Sequence, residues 1–235
     1  MENLIGLQMD DRSPYQQKAY KGYFSPKDVT ALEKSEEKPS LLKAVDKWLE
    51  RTPGLEHGDY SFEKEYEKAV HNMLQTTKKE IEQDSISDDK EKALLLEAWE
   101  KNQASFNTVL VPKEHEDLLS EGARRFSRRA FFGAMMISMY RDEPKYSLPF
   151  QFLTLLADMD ANMTRWRHQH MQMVQRMIGS KVGTGGSSGY QYLRTTLNDR
   201  YKVFSDLFAL PTFILPRRFI PTLPASIADT LNYHQ

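Results

Sequence analysis

Leu41, Leu42, Val45, Trp48 and Leu49 fall at i, i+1, i+4, i+7 and i+8, the spacing of one helix face. Pro39 stands near the start of that helix, and Thr52-Pro53-Gly54 stops it. A second helix is predicted from about Asp59 to Gln83, where Phe62, Tyr66, Val70, Met73 or Leu74, and Ile81 form a narrow apolar stripe among Lys and Glu. Ser85, with Asp88 three residues later, has the pattern of a capping box ahead of a third helix through Leu94, Leu95, Leu96 and Trp99. Nothing in this charged stretch looks chemical. It reads as solvated helices that each pack by one face.

After Pro112 the pattern becomes more apolar. ARRFSRRAFFGAMMISMYRDEP reads as a helix with an arginine-rich first turn, closed by Asp142, Glu143 and Pro144. That charge order opposes the helix dipole, so Arg124, Arg125, Arg128 and Arg129 need partners, either acidic side chains or an anionic ligand. PFQFLTLLADMDANMTRWRHQHMQMVQRMIGS then predicts a helix of about thirty residues. Its Met159, Met163, Trp166, His170, Met173 and Met177 alternate steps of four and three, which predicts the central core stripe. A glycine-rich loop, KVGTGGSSGY, follows; then YLRTTLNDRYKVFSDLF as a helix, and a proline-punctuated tail. At the other end, MENLIGLQ reads as the last turns of a helix, and Ser13 to Ser25 has loop composition. Strand signals are nearly absent and there is no internal repeat. The expected fold is all-α, a helical bundle with long core helices and a charged helical insertion. The expected division is 1–25, a remnant of a core helix plus loop; 26–112, the charged subdomain; and 113–235, the long helices, glycine loop and tail.

Composition narrows the function. The 235 residues are 40% hydrophobic and 28% charged, the balance of a globular protein. Thirty-two basic against thirty-three acidic residues leave a net charge of -1, which provides no global field for nucleic acid or an anionic membrane. The absence of cysteine removes disulfides, zinc-thiolate sites, iron-sulfur clusters and thiolate nucleophiles. No run approaches the roughly 18 apolar residues of a spanning helix, and the first residues lack the order of a signal peptide. The expected address is the cytosol.

His170 stands where a large apolar residue is expected on a long helix, so its imidazole needs a partner. One reading is a buried, hydrogen-bonded histidine. The other is a proximal haem ligand, because Met163, Trp166, Met173, Val174 and Met177 would line a flat cofactor, with Arg167 and Arg176 near the carboxylates at its edge. His168 lies about 200° around the helix from His170 and points elsewhere. The Gly183-Thr184-Gly185-Gly186-Ser187-Ser188-Gly189 stretch is either a flexible linker or a lid over a small polar ligand. It lacks the Gly-Lys-Ser/Thr of a phosphate loop.

WRHQHMQMVQRMIGSKVGTGGSSGYQYLRTTLNDRYKVFSDLF resembles the haem-ligand helix and glycine loop of the tryptophan 2,3-dioxygenases, and FSRRAFFGAMMISMYRDEP, DKWLERTPGLE and LPRRFIPTLP extend the resemblance along the chain. It implies an all-helical protein with haem b that inserts both oxygen atoms of O2 across the indole C2–C3 bond of L-tryptophan, giving N-formylkynurenine. His170 then corresponds to the proximal iron ligand, with Trp166 and Arg167 beside the cofactor. Thr184, flanked by Gly183 and Gly185, corresponds to the residue that holds the substrate ammonium group. In the family a further N-terminal region supplies the distal histidine, the aromatic wall and the arginine for the substrate carboxylate; this chain has no counterpart, so no catalytic residue is assigned in it. The resemblance implies a homotetramer for full-length members, and leaves two roles: a dioxygenase chain, or a non-catalytic haem-binding or assembly module. DKWLERTPG also resembles the animal members, which marks Trp48 and Arg51 as a second small-molecule contact or as a plain helix terminus.

Overall fold

A computed structural model describes residues 25–232 except 37, 86–87, 180 and 182–188. Its helices are α1 (Pro26–Glu36), α2 (Leu41–Leu49), α3 (Phe62–Gln83), α4 (Asp89–Leu110), α5 (Pro112–Ser120) and α6 (Arg128–Met139), followed by α7 (Pro144–Ile178), α8 (Gly189–Thr195), α9 (Ser205–Ala209) and α10 (Ala225–Leu231). The all-α expectation holds. The one pairing of strands among the described residues is a two-residue antiparallel ladder, β1 (Glu56–His57) with β2 (Tyr60–Ser61), in register Glu56 opposite Ser61.

The chain forms two compact units, each discontinuous in sequence: 1–47 with 154–205, and 48–153 with 206–235. In the second unit α6 is the central helix, buried at every position from Ala130 to Ile137, as expected of a helix that is apolar all round. The α3 stripe Phe62, Tyr66, Val70, Met73 and Leu74 is buried as its spacing predicts. Phe62 and Tyr66 meet Phe132 of α6 edge-on, with ring centroids 6.3 and 5.9 Å apart, a geometry aromatic quadrupoles favour. Tyr66 Oη donates to the Phe213 carbonyl at 2.8 Å, fastening the tail to this core. Gly133 allows the closest approach. A Cβ there would collide with the Leu49 carbonyl oxygen at the end of α2 and lie 2.7 Å from Thr52 Oγ1.

Two local expectations need correction. The cap of α4 is Asp88, whose carboxylate accepts from Glu91 N at 2.7 Å, and not Ser85; the acidic side chain closer to the helix supplies the acceptor. The stretch after the glycine loop is not one helix either: α8 ends at Thr195, a 3-10 turn spans Asp199–Tyr201, and α9 begins at Ser205. There the amides of Val203 and Phe204 bond to a side chain, Asp160, in place of carbonyls four residues back.

Candidate functional site

In the first unit the functional side chains lie on α7 beyond Thr154. At about 100° per residue, Leu156, Asp160, Arg167 and Met171 share one side of that helix, and they are the buried ones. The predicted core stripe is displaced from this side. Trp166 is 58% exposed, Met173 50% and Met177 75%. The correction has a physical cause, because the buried side is held by polar groups that hydropathy assigns to solvent. Asp160, 1% exposed, accepts from Val203 N at 3.0 Å and Phe204 N at 2.7 Å. Arg167, 4% exposed, donates from Nη1 to the Tyr201 carbonyl at 3.0 Å.

His170 sits half-buried at the border between the two sides. Its ring lies 5.3 Å from that of Trp166, one turn earlier, with the planes tilted by 46°. Its nitrogens make no hydrogen bond to any described residue, so a lone pair is available to a ligand. His168 is exposed on the far side and takes a hydrogen bond from Gln172 Nε2 at 3.0 Å. The reading of His170 as a buried, satisfied histidine does not describe this geometry. No cluster of three or more His, Asp or Glu side chains able to hold a metal occurs among the described residues. An imidazole nitrogen free of partners beside exposed indole and thioether surface fits one axial bond and one face of a planar iron porphyrin. Gly183, Thr184 and Gly185 lie outside the described residues.

Arg124, Arg128 and Arg129, before and in α6, find protein partners for their guanidinium groups. Arg128 donates to the Val109 and Leu110 carbonyls at 3.0 Å each and to Glu63 Oε1 at 2.6 Å, closing the C-terminus of α4. Arg129 forks onto Glu56 at 3.0 and 3.1 Å, which holds the Glu56 carboxyl below its ordinary range. Arg124 is buried over the Phe131 and Phe213 rings, 3.6 Å from Asp206, and Asp206 also accepts the amides of Arg125 and Phe126. Trp48, half-buried near the end of α2, packs edge-on against Phe152 at 5.4 Å.

Sequence reasoning passed over His115. It is fully buried on α5, with Nε2 3.0 Å from the Phe126 carbonyl and Nδ1 without a partner. Burial holds it neutral, with its pKa below the ordinary 6.5. The available signal was Leu118 and Leu119 at i+3 and i+4, which place His115 on the apolar side of a short helix.

These features define an all-α protein in which, among the described residues, His170 stands without a hydrogen bond at the edge of an exposed apolar helix face. The family model for tryptophan 2,3-dioxygenase matches residues 1–214, so the chain belongs to that family. It is similar to tryptophan 2,3-dioxygenase A of Danio rerio, 47% identical over 226 residues that cover 96% of this chain and 55% of the relative. Tryptophan 2,3-dioxygenase B of the same fish is 45% identical over 227 residues, 97% of this chain and 55% of its own. The chain spans about half the length of the curated relatives it matches.

Proposed function

We propose that this chain is the haem-ligand part of a tryptophan dioxygenase, with His170 as the axial ligand of haem b. In this reading it contributes to the insertion of O2 into the indole ring of L-tryptophan, giving N-formylkynurenine. The observation that carries the reading is the His170 imidazole, without a hydrogen bond and bordered by exposed Trp166 and Met173, on a helix that lies within the family match. Bound haem supplies the redox chemistry that activates dioxygen. The chain supplies the rest: a nitrogen donor, an apolar face that keeps water from one side of the cofactor, and an indole that restrains the imidazole plane. By family resemblance Thr184, with Gly183 and Gly185, holds the tryptophan ammonium. Arg167 supports the site from its buried side, where its guanidinium is committed to Tyr201. No helix among the described residues is long and apolar enough to cross a membrane, and the proposed setting is the cytosol.

The open His170 face favours a second reading, a haem-binding or assembly module that joins the family's homotetramers without turning over alone. Both are tested by titrating haem into the purified chain and its His170→Ala variant, followed by absorbance, with N-formylkynurenine assayed in the same samples. Saturable binding lost in the variant, with product formed, supports the dioxygenase. Binding lost in the variant, without product, supports the module. Binding indifferent to His170 overturns the site.

A further inference from the structure

The buried side of α7 carries two charged groups, Arg167 and Asp160, and the haem-site reading gives no role to the second. Asp160 and Arg167 are seven residues apart, about 10 Å of helix, and both hold the backbone of one segment. Arg167 grips the Tyr201 carbonyl, and Asp160 grips the amides of Val203 and Phe204. Passing from 201 to 204, the contacts therefore move backward along α7, so this segment runs antiparallel to the helix.

Direction around the helix gives the segment its meaning. At 100° per residue, Arg167 and Asp160 lie about 60° and 80° to one side of His170, while Trp166, Met177 and Met173 lie about 20° to 60° to the other. His170 thus faces outward between a clamped backbone on one flank and an open apolar surface on the other. Along the axis Arg167, with the Tyr201 carbonyl that it holds, lies about one turn from His170, and Asp160, with the Val203 and Phe204 amides, about 15 Å from it.

We infer that Asp160 and Arg167 are positioning residues for the His170 ligand: by fixing Tyr201–Phe204 alongside α7 they set one wall of its seat. The inference rests on the haem-site reading above. A buried carboxylate suits this task, because its two oxygens accept two neighbouring amides at once and a charged acceptor binds amides more strongly than a neutral one. Arg167 adds the third fixed point.

The test compares Asp160→Asn, Arg167→Lys and Arg167→Met with the unaltered chain and with His170→Ala. Two quantities are read: amide hydrogen exchange at Val203 and Phe204, and haem titration by absorbance, including the position of the band at saturation. Asp160→Asn should speed exchange at both amides. It should also weaken His170-dependent haem binding about tenfold, the usual loss when a group supporting a metal ligand's surroundings is removed, and move the band. Arg167→Lys, whose ammonium still reaches the carbonyl, should retain more affinity than Arg167→Met; this pair keeps the test intact if Asp160→Asn does not fold. Haem binding that depends on His170 but is unchanged in all three variants overturns the positioning role alone. Binding that ignores His170 in the unaltered chain overturns the haem-site reading and this inference with it.

Discussion

Replacing Asp206 by Asn tests how the second unit is held together. The carboxylate is 1% exposed, receives the Arg125 and Phe126 amides at 2.8 and 2.7 Å, and faces Arg124, itself 7% exposed. Asparagine preserves the shape but removes the charge. Both amides bond to the same oxygen, Oδ2, so an asparagine oxygen that keeps that place turns the NH2 group toward the buried Arg124 guanidinium. A hydrogen bond to a charged group contributes about 1.5–3 kcal/mol, and removing one partner of a buried ion pair costs about 3–5 kcal/mol, because the other charge stays buried without compensation. The expected loss is therefore about 4 kcal/mol, a large share of the roughly 5–15 kcal/mol that holds a domain together. Urea unfolding followed by circular dichroism reads it as a lower midpoint at constant slope. Arg124→Met in the Asp206→Asn background should recover part of the loss, since it removes the stranded guanidinium while keeping apolar contact with Phe131 and Phe213. A loss below about 1 kcal/mol, or no recovery in the double variant, would refute this account of Asp206.

Gly133→Ala should cost about 2–3 kcal/mol in the same assay, the upper part of the usual overpacking range, because the obstacle is the Leu49 backbone carbonyl and not a mobile side-chain end; an unchanged midpoint would mean that α2 can move away freely. His115 should make stability fall in mild acid. The unfolded chain takes up its proton near the ordinary 6.5, while in the folded protein burial, with Arg124 and Arg128 nearby, holds the ring neutral to lower pH against the opposing pull of Asp206 and the Phe126 carbonyl. Below 6.5 the unfolded state then binds more protons, so stability declines as pH falls, by at most about 1.4 kcal/mol per unit. In urea titrations from pH 7 to 5, His115→Leu should show a shallower decline than the unaltered chain, and equal slopes would remove His115 from the account.

What could be read beforehand depended on where each residue finds its partner. The buried faces of α2 and α3 are legible because Val45, Leu49, Phe62 and Tyr66 are apolar and evenly spaced, and water alone sorts such residues. His170 stands out in the sequence as an imidazole among Met and Trp, but the stripe it belongs to was expected in the core and is largely exposed. The side of α7 that faces inward is not, because Asp160 and Arg167 score as solvent residues. Their acceptors and donors lie 43 and 34 residues further on, in backbone groups that no periodicity marks. The same distance effect hides the break after α8, since the amides of Val203 and Phe204 leave the helical pattern for that remote carboxylate. The partners of Arg124, Arg128 and Arg129 are likewise scattered over Glu56, Glu63, Asp206 and the carbonyls ending α4, so the sequence alone left open an acid or an anion.

The discontinuity of the two units bears on how the chain is made. Synthesis delivers α3, α4 and α6 well before Asp206 and Phe213: the carboxylate that binds the Arg125 and Phe126 amides follows them by 81 and 80 residues, and the carbonyl that takes the Tyr66 hydroxyl follows it by 147. Such late-arriving contacts slow folding, because the loop they close is long. A ribosome paused before residue 206 would therefore carry a helical intermediate with Arg124 lacking its carboxylate and aromatic rings awaiting Phe213, the kind of species that chaperones hold. For this protein Asp206 and Phe213 act as a late fastening on helices made much earlier.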